Sequence, residues 1–374
     1  MKTVKQFLPR ILAMLLVTAV IMSAVVYTGK HGVRKDGLYY ASAGIHPDGQ
    51  IVTINGTVVS AEEYLYWLAY DCEYLSYYVS GIDWNAEISE GMTYGNYAKT
   101  DALETVKLYA IIRQWAAENG ITLTAEDKAA IDAERSQYVA YYGSEEGYAN
   151  QIKLLGVSEK AFKDINSVYY LYAHVYEQFC NPESKLYPGV DALNAYGAQG
   201  NYMTIKEIFF STTGLSDEEK AEKKAQAQSI ADQLKASPNA SAAFDTAGVI
   251  SEDGSAQKNP NGLTFAPGTL DQTLETAVSA LGENEVSGVI ETTAGYYVAM
   301  RLALDPSGLL EAYFAQQLKD ARAASSVTYS KEYNHLDVGT FYTTLTEKRS
   351  DLIAATGSGS TVLPGSDSAA NSAG

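Results

Sequence analysis

The side chains able to perform covalent or metal chemistry are few in this chain, and they do not cluster. Its four histidines, His31, His46, His174 and His335, are spread from end to end, with no spacing that puts two of them on one metal ion. Two cysteines, Cys72 and Cys180, are too few for a thiolate zinc site or a disulfide scaffold. Both fall in expected helices of one domain, either as a single disulfide or as two small buried apolar side chains. There is no GxSxG or HExxH stretch, and Gly254-Ser-Ala-Gln-Lys258 has a glycine and a lysine without the pattern that cradles phosphate. Acidic runs such as Asp217-Glu218-Glu219 suit a helix start rather than a calcium loop. Hydrolase, nucleotidase and metal chemistry are disfavoured, and no metal or cofactor is expected. What stays open is work done by an apolar surface and a few polar groups without breaking a bond.

The chain has 374 residues, 46% of them hydrophobic and 19% charged, enough for two or three folded domains. Its 27 basic and 45 acidic residues leave a net charge of −18, which repels polyphosphate, so no nucleic-acid partner is expected. Lys2, Lys5 and Arg10 precede an uncharged run over 11–27, which as a helix spans about 26 Å. This pattern predicts a membrane anchor or signal segment over 1–30, with an uncleaved single-pass transmembrane helix favoured. The bulk of the chain then lies on the extracytoplasmic side of the cell membrane. A Gly-, Ser- and Tyr-rich spacer follows over 31–50.

Residues 51–59 surround Asn55-Gly56 and predict a short hairpin, because that dipeptide accepts the positive φ of a tight turn. Ser60 and Glu63 form a capping-box signature ahead of a helix whose Leu65, Leu68, Cys72 and Leu75 share one face. Helices are expected over 100–119, 124–142 and 158–180, so 51–200 is a mainly helical domain whose many tyrosines make amphipathic aromatic surfaces. The pattern changes after Tyr202. A strand is expected over 204–211, a helix from the Ser216/Glu219 capping box to Leu234, and a short helix over 242–247. A loop over 251–262 leads to a strand at 263–265, a helix over 271–281, and strands over 286–290 and 296–304. The fold class is α+β, with helices covering a four-stranded antiparallel-type sheet over 201–305. A helix over 309–324 contributes to the first domain, within a helical segment running over 306–354. The Ser/Gly-rich stretch over 355–374 is expected to be a disordered tail.

Several blocks within 202–304 occur in a familiar order. They are Ile205-Lys-Glu-Ile-Phe-Phe210, Asn259-Pro-Asn-Gly-Leu-Thr-Phe265, Pro267-Gly-Thr-Leu270, Leu274-Glu-Thr-Ala-Val-Ser-Ala-Leu281, Gly282-Glu-Asn-Glu-Val-Ser-Gly-Val-Ile290 and Thr292-Thr-Ala-Gly-Tyr-Tyr-Val298. Together they resemble a parvulin-type peptidyl-prolyl cis-trans isomerase, or PpiC-like, domain. Upstream, Ile54-Asn-Gly-Thr-Val-Val-Ser-Ala-Glu-Glu63 resembles the start of a SurA-N-like chaperone domain. The layout is similar to that of PrsA/SurA-like membrane-anchored extracytoplasmic foldases. The resemblance implies a folding factor that acts on unfolded or nascent secreted polypeptides containing X-Pro bonds.

It also assigns residues. Phe265, Leu270 and Leu274 fall at positions of the family's prolyl pocket, although the same three side chains also suit plain core packing. Thr292 and Ala294 fall on the segment before the last strand, as further substrate-binding positions. The two family histidines are replaced here by Glu207 and Tyr297, and the loop Cys or Asp falls near Asp253. Strand pairing as in the family would set Glu207 beside Tyr297, with the carboxylate accepting the phenol proton. Two functions follow: an isomerase with catalytic groups Glu207, Asp253 and Tyr297, or a catalytically silent chaperone that only holds client segments. A surface-adhesion role is a weaker third reading, suggested by the tyrosines and the Ser/Gly tail.

Overall fold

The computed structural model describes residues 37–45 and 50–356. The apolar run over 11–27 and the tail from 357 onward lie outside the described residues. Among the described residues, no helix is long and apolar enough to cross a membrane. The chain forms two compact units. One comprises residues up to Gln178 together with those from Leu318 onward, and the other is Phe179–Gln317.

The first unit opens with helix α1 (Leu38–Ala43) and the hairpin β1 (Val52–Ile54) and β2 (Thr57–Val59). Asn55 and Gly56 have φ of 48° and 79°, the left-handed pair that a two-residue hairpin turn requires. A third strand, β9 (Val327–Tyr329), pairs antiparallel on the free edge of β1, with Val52 opposite Tyr329 and Ile54 opposite Val327. The carboxyl-terminal segment therefore completes a sheet begun near the amino end, which the sequence patterns do not signal.

Helix α2 (Ala61–Tyr78) follows, and Ser60 caps it by accepting from the Glu63 backbone N–H. The expected capping box is only half formed. The Glu63 carboxylate turns instead to Arg113, at 2.8 and 2.9 Å. Leu65, Leu68 and Cys72 are buried as expected. Tyr64 and Tyr66 are also core residues, whereas Tyr74, Tyr77 and Tyr78 are exposed, so the tyrosines do not form one aromatic surface. After the small β3 (Glu87–Ser89) and β4 (Met92–Thr93) comes α3 (Tyr94–Glu118). It starts six residues earlier than the apolar pattern suggests, because Thr93 accepts from the Asn96 N–H and caps it there.

Helix α4 (Ala125–Tyr141) begins with a complete Thr124/Asp127 capping box. Asp127 also holds His174 of α6 (Glu159–Phe179) at 2.7 Å, which gives that histidine a structural partner. Helix α5 (Glu145–Leu155), not expected from the sequence, lies between them. The unit closes with α13 (Lys331–His335) and α14 (Val338–Thr356), which packs on α1 and α3. From α14 the buried Arg349 donates to the Leu154 carbonyl at 2.7 Å and to Glu73 at 2.5 Å. No disulfide joins Cys72 and Cys180. The expectation that they share helices of one domain is corrected: Cys72 lies in α2, and Cys180 follows the end of α6 in the other unit.

The second unit contains α7 (Val190–Gln199) and a sheet ordered β6-β5-β8-β7, antiparallel throughout. Its strands are β5 (Met203–Ser211), β6 (Leu263–Phe265), β7 (Ile290–Glu291) and β8 (Gly295–Leu302). The strand expected over 286–290 is shorter than its apolar pattern suggests. Val286 makes one isolated bridge to Met300, and β7 proper starts at Ile290. Helices α8 (Asp217–Ala236) and α9 (Ala240–Ala247) cover one sheet face, packing Ala227, Ala231, Leu234 and Phe244 on Ile208, Phe210, Val298 and Met300. The short α10 (Ser255–Lys258) precedes β6, and α11 (Gln272–Ser279) covers the other face. There Leu274 and Val278 pack with Ile205, Phe265, Ile290 and Ala299. Helix α12 (Leu310–Ala324) then runs from the second unit into the first.

The β7–β8 turn is tight at Gly295, where an added Cβ would lie 2.1 Å from the Phe210 carbonyl oxygen. Gly295→Ala is expected to destabilise the second unit by about 1–3 kcal/mol, the usual cost of forced overpacking. A urea melt that follows this unit should show a lower midpoint with an unchanged slope.

Candidate functional site

The register of β5 against β8 decides what meets on the α11 face. Glu207 pairs with Ala299 and Phe209 with Tyr297. Directly opposite residues of an antiparallel pair project to the same side, so Ile205, Glu207, Phe209, Tyr297 and Ala299 share one face. Glu207 and Tyr297 are therefore diagonal neighbours on that face. In such a diagonal the residues stand about 7–8 Å apart, within reach of a tyrosine side chain. The Tyr297 ring stacks on its direct partner Phe209, with centroids 4.5 Å apart and planes 32° apart.

The apolar part of the site is layered. Phe265 and Leu274 are buried and form the floor as core residues, while Leu270 and Tyr297 are half-buried and pack over that floor. Leu270 is held by the Glu275 carboxylate, whose two oxygens accept from the backbone N–H groups of Gly268 and Leu270, each at 2.8 Å. Those N–H groups hold the Glu275 carboxyl below the usual carboxylate range. Asp271 caps α11 by accepting from Thr273 and Leu274. Glu275 and Asp271 were missed in the sequence. Their signal was an Asp at a helix start followed by a Glu four residues later, which ordinarily reads as surface capping.

The polar part comes from the loop after α9. Ser251 accepts from the Phe209 N–H at 2.9 Å and donates to Asp253 at 2.8 Å. Glu252 donates its N–H to the Phe209 carbonyl at 2.9 Å and accepts from the Ser211 N–H at 2.8 Å. The loop thus pairs with the edge of β5 beyond the end of β6 and fixes Asp253 next to Phe209. Burial pushes the Tyr297 phenol up to about 12, with Glu207, then Asp253, then Asp271 adding to the rise through their negative charges. The structure therefore brings Glu207, Asp253, Leu270, Leu274 and Tyr297 to one region. Thr292 and Ala294 lie in the turn between β7 and β8. The Thr292 hydroxyl is used within the β7–β8 turn, donating to the Gly295 carbonyl and accepting from the Ala294 and Gly295 N–H groups. Ala294 is exposed in that turn.

Glu207 also contributes to a cavity of about 250 Å³ along the β5 edge, together with Lys206, Asp245, Phe244, Asn259 and Pro260. Among the described residues, no group of three or more His, Cys, Asp and Glu side chains is arranged to hold a metal ion. The chemistry on offer is an apolar platform beside a neutral phenol, with carboxylates around it.

Residues 208–302 match the family model for rotamase, the PPIC-type PPIASE domain. No curated protein matches the chain. Among solved structures, the chain is similar to NmPin, the parvuline of Nitrosopumilus maritimus. Identity there is 26%, over 27% of this chain and 96% of that one, with a TM-score of 0.21. It is similar to PrsA from Bacillus subtilis, at 16% identity over 72% of this chain and 93% of that one, with a TM-score of 0.27. It is also similar to the foldase protein PrsA from Lactococcus lactis, at 15% identity over 82% of this chain and 94% of that one, with a TM-score of 0.24.

Because Tyr297 is shifted upward in the folded state, its contribution to stability is intact below the ordinary tyrosine value near 10 and is lost as pH rises through about 12. Glu207→Gln removes one of the charges that raise it. A ring-carbon NMR titration of specifically labelled tyrosine should show the Tyr297 midpoint falling toward 10 in that variant.

Proposed function

We propose, on the premise that residues 208–302 are a PPIC-type PPIase domain, that this protein is a folding factor catalysing cis–trans isomerisation of X-Pro bonds in unfolded secreted polypeptides. The amide barrier is about 18–20 kcal/mol, and uncatalysed X-Pro exchange takes tens to hundreds of seconds. No bond is broken, so catalysis consists of binding the twisted amide better than either planar form. Amide resonance places partial negative charge on the carbonyl oxygen of the planar form, and twisting removes it. A carbonyl turned toward Glu207, Asp253 and Asp271 is disfavoured while planar and relieved when twisted. Leu270, above Leu274 and Phe265, grips the prolyl ring, and Tyr297 remains a neutral hydrogen-bond donor throughout the physiological range.

The observation that supports this reading best is the convergence of the Leu270 platform, the half-buried Tyr297 phenol and three carboxylates on one face of the β5–β8 pair. Lys2, Lys5 and Arg10 ahead of the apolar run over 11–27 support the further proposal of a single-pass anchor with an extracytoplasmic bulk. Resistance of the full chain to alkaline extraction from membranes is the expected result.

The replacement of both family histidines by Glu207 and Tyr297 favours a second reading, in which the chain holds client segments without turning them over. Relaxation of an Ala-Pro peptide separates the two. The full chain is expected to accelerate it, Leu270→Ala to lower kcat/KM about tenfold or more, and Tyr297→Phe and Asp253→Asn to lower kcat at nearly constant KM. Tenfold corresponds to about 1.4 kcal/mol of lost transition-state binding. No acceleration by the wild-type chain, with client aggregation still suppressed, would assign it the holding role alone.

A further inference from the structure

The loop that carries Asp253 is tied to the helix on the far side of the sheet by a lysine of α8. The Lys223 ammonium lies 6.0 Å from the centre of the Phe210 ring, which is buried under α8 and α9. It donates to Glu252 Oε1 at the β5 edge. The other Glu252 oxygen accepts from the Ser211 N–H at 2.8 Å, and the Glu252 backbone N–H donates to the Phe209 carbonyl at 2.9 Å. Two links then lead to the site face. Ser251 joins the Phe209 N–H to the Asp253 carboxylate, and the Phe209 ring stacks on Tyr297.

The cation matters because the groups around it are acidic. Glu252 adjoins Asp253 in sequence, and Tyr297 feels Glu207, Asp253 and Asp271 together. The Lys223 ammonium, and then the Ser211 N–H, hold the Glu252 carboxyl below the usual carboxylate range against the opposing effect of burial. Without Lys223, neighbouring carboxylates at 252 and 253 repel each other with no ammonium between α8 and the loop to offset them. The pair is 28% and 35% exposed, and ion pairs open to solvent add little to global stability. Its loss therefore shows in the site before it shows in the fold.

The next residue supplies a natural comparison. Lys224 turns to the opposite edge of the sheet, pairing with Glu291 of β7 at 2.6 Å and lying 5.6 Å from the Tyr296 ring centre. Two adjacent lysines thus make similar ion pairs from one helix turn, and only that of Lys223 leads through hydrogen bonds to Asp253.

We propose that Lys223 is a positioning residue, which through Glu252 sets the place of Asp253 and of the Phe209–Tyr297 stack. The geometry on one face of the sheet is then held from the other. The kinetic consequence rests on the isomerase reading, whereas the positional one does not.

The test compares variants of the full chain by ring-carbon NMR of labelled tyrosine and by relaxation of an Ala-Pro peptide. Lys223→Met is expected to move the Tyr297 ring signals and to lower kcat about three- to tenfold at nearly constant KM, with the urea midpoint of the second unit close to wild type. Lys223→Arg keeps a cation for Glu252 and should stay within about twofold of wild type. Glu252→Gln should match Lys223→Met, and the double variant should be no worse than either single one, because both cut the same link. Lys224→Met should leave kcat unchanged and move Tyr297 far less. Unmoved Tyr297 signals in Lys223→Met, additive losses in the double variant, or an equally large effect of Lys224→Met would overturn the proposal. Failure of the wild-type chain to accelerate the peptide would instead sink the isomerase reading, and the Tyr297 signals of the same variants would still decide whether Lys223 positions the site.

Discussion

Everything chemical in the second unit depends on the eight-residue antiparallel pairing of β5 with β8. Because side chains alternate across a sheet, this register sends Ile208, Phe210, Val298 and Met300 to the helices α8 and α9, and Glu207, Phe209 and Tyr297 to the opposite face. A slip of one residue would exchange the two sets, burying a carboxylate under α8 and exposing the core. The register is held at both ends. Thr204 bonds Thr264 of β6 at 2.8 Å, and the Ser251–Glu252 loop pairs with the edge of β5 from Phe209 to Ser211. The same loop carries Asp253, so the group that secures the strand edge also brings acidity to the niche.

The elements legible in the sequence were those with local punctuation. Asn55-Gly56 marked its hairpin, Ser216 and Glu219 their helix start, and the run from Thr204 to Ser211 its strand. The missed elements depend on contacts that no local window contains. The strand β9 has three residues, and its partner lies more than 270 positions upstream. The start of α3 was set by Thr93, a cap too weak in isolation to outweigh the apolar stripe downstream. Glu63 had a capping signature but was drawn away by Arg113, since a charge-assisted pair with guanidinium outcompetes a single backbone N–H.

The site was legible as a set of positions and not as a geometry. Aligning motifs located Glu207, Leu270, Leu274 and Tyr297, each within one of the blocks, and Asp253 in the loop between the first two. It also located Thr292 and Ala294, which take part in the hydrogen bonds of the turn at Gly295. Sequence alone did not reveal that Phe265 and Leu274 are floor rather than wall, nor that Glu275 ties down the Leu270 loop. Both units also set tyrosine hydroxyls beside carboxylates, Tyr297 near Glu207 and Asp253, and Tyr97 near Asp71 and Asp101. In an acidic chain this keeps the phenols neutral and available as donors.

The most direct test of where an X-Pro segment sits is intermolecular NOE spectroscopy on the full chain with a saturating Ala-Pro peptide and selectively labelled leucine and tyrosine. Contacts from the proline ring protons to the Leu270 methyls and the Tyr297 ring are expected, and Leu270→Ala should remove them. Proline contacts confined to residues of the first unit, or to the α8–α9 face of the sheet, would contradict a site on the β5–β8 face.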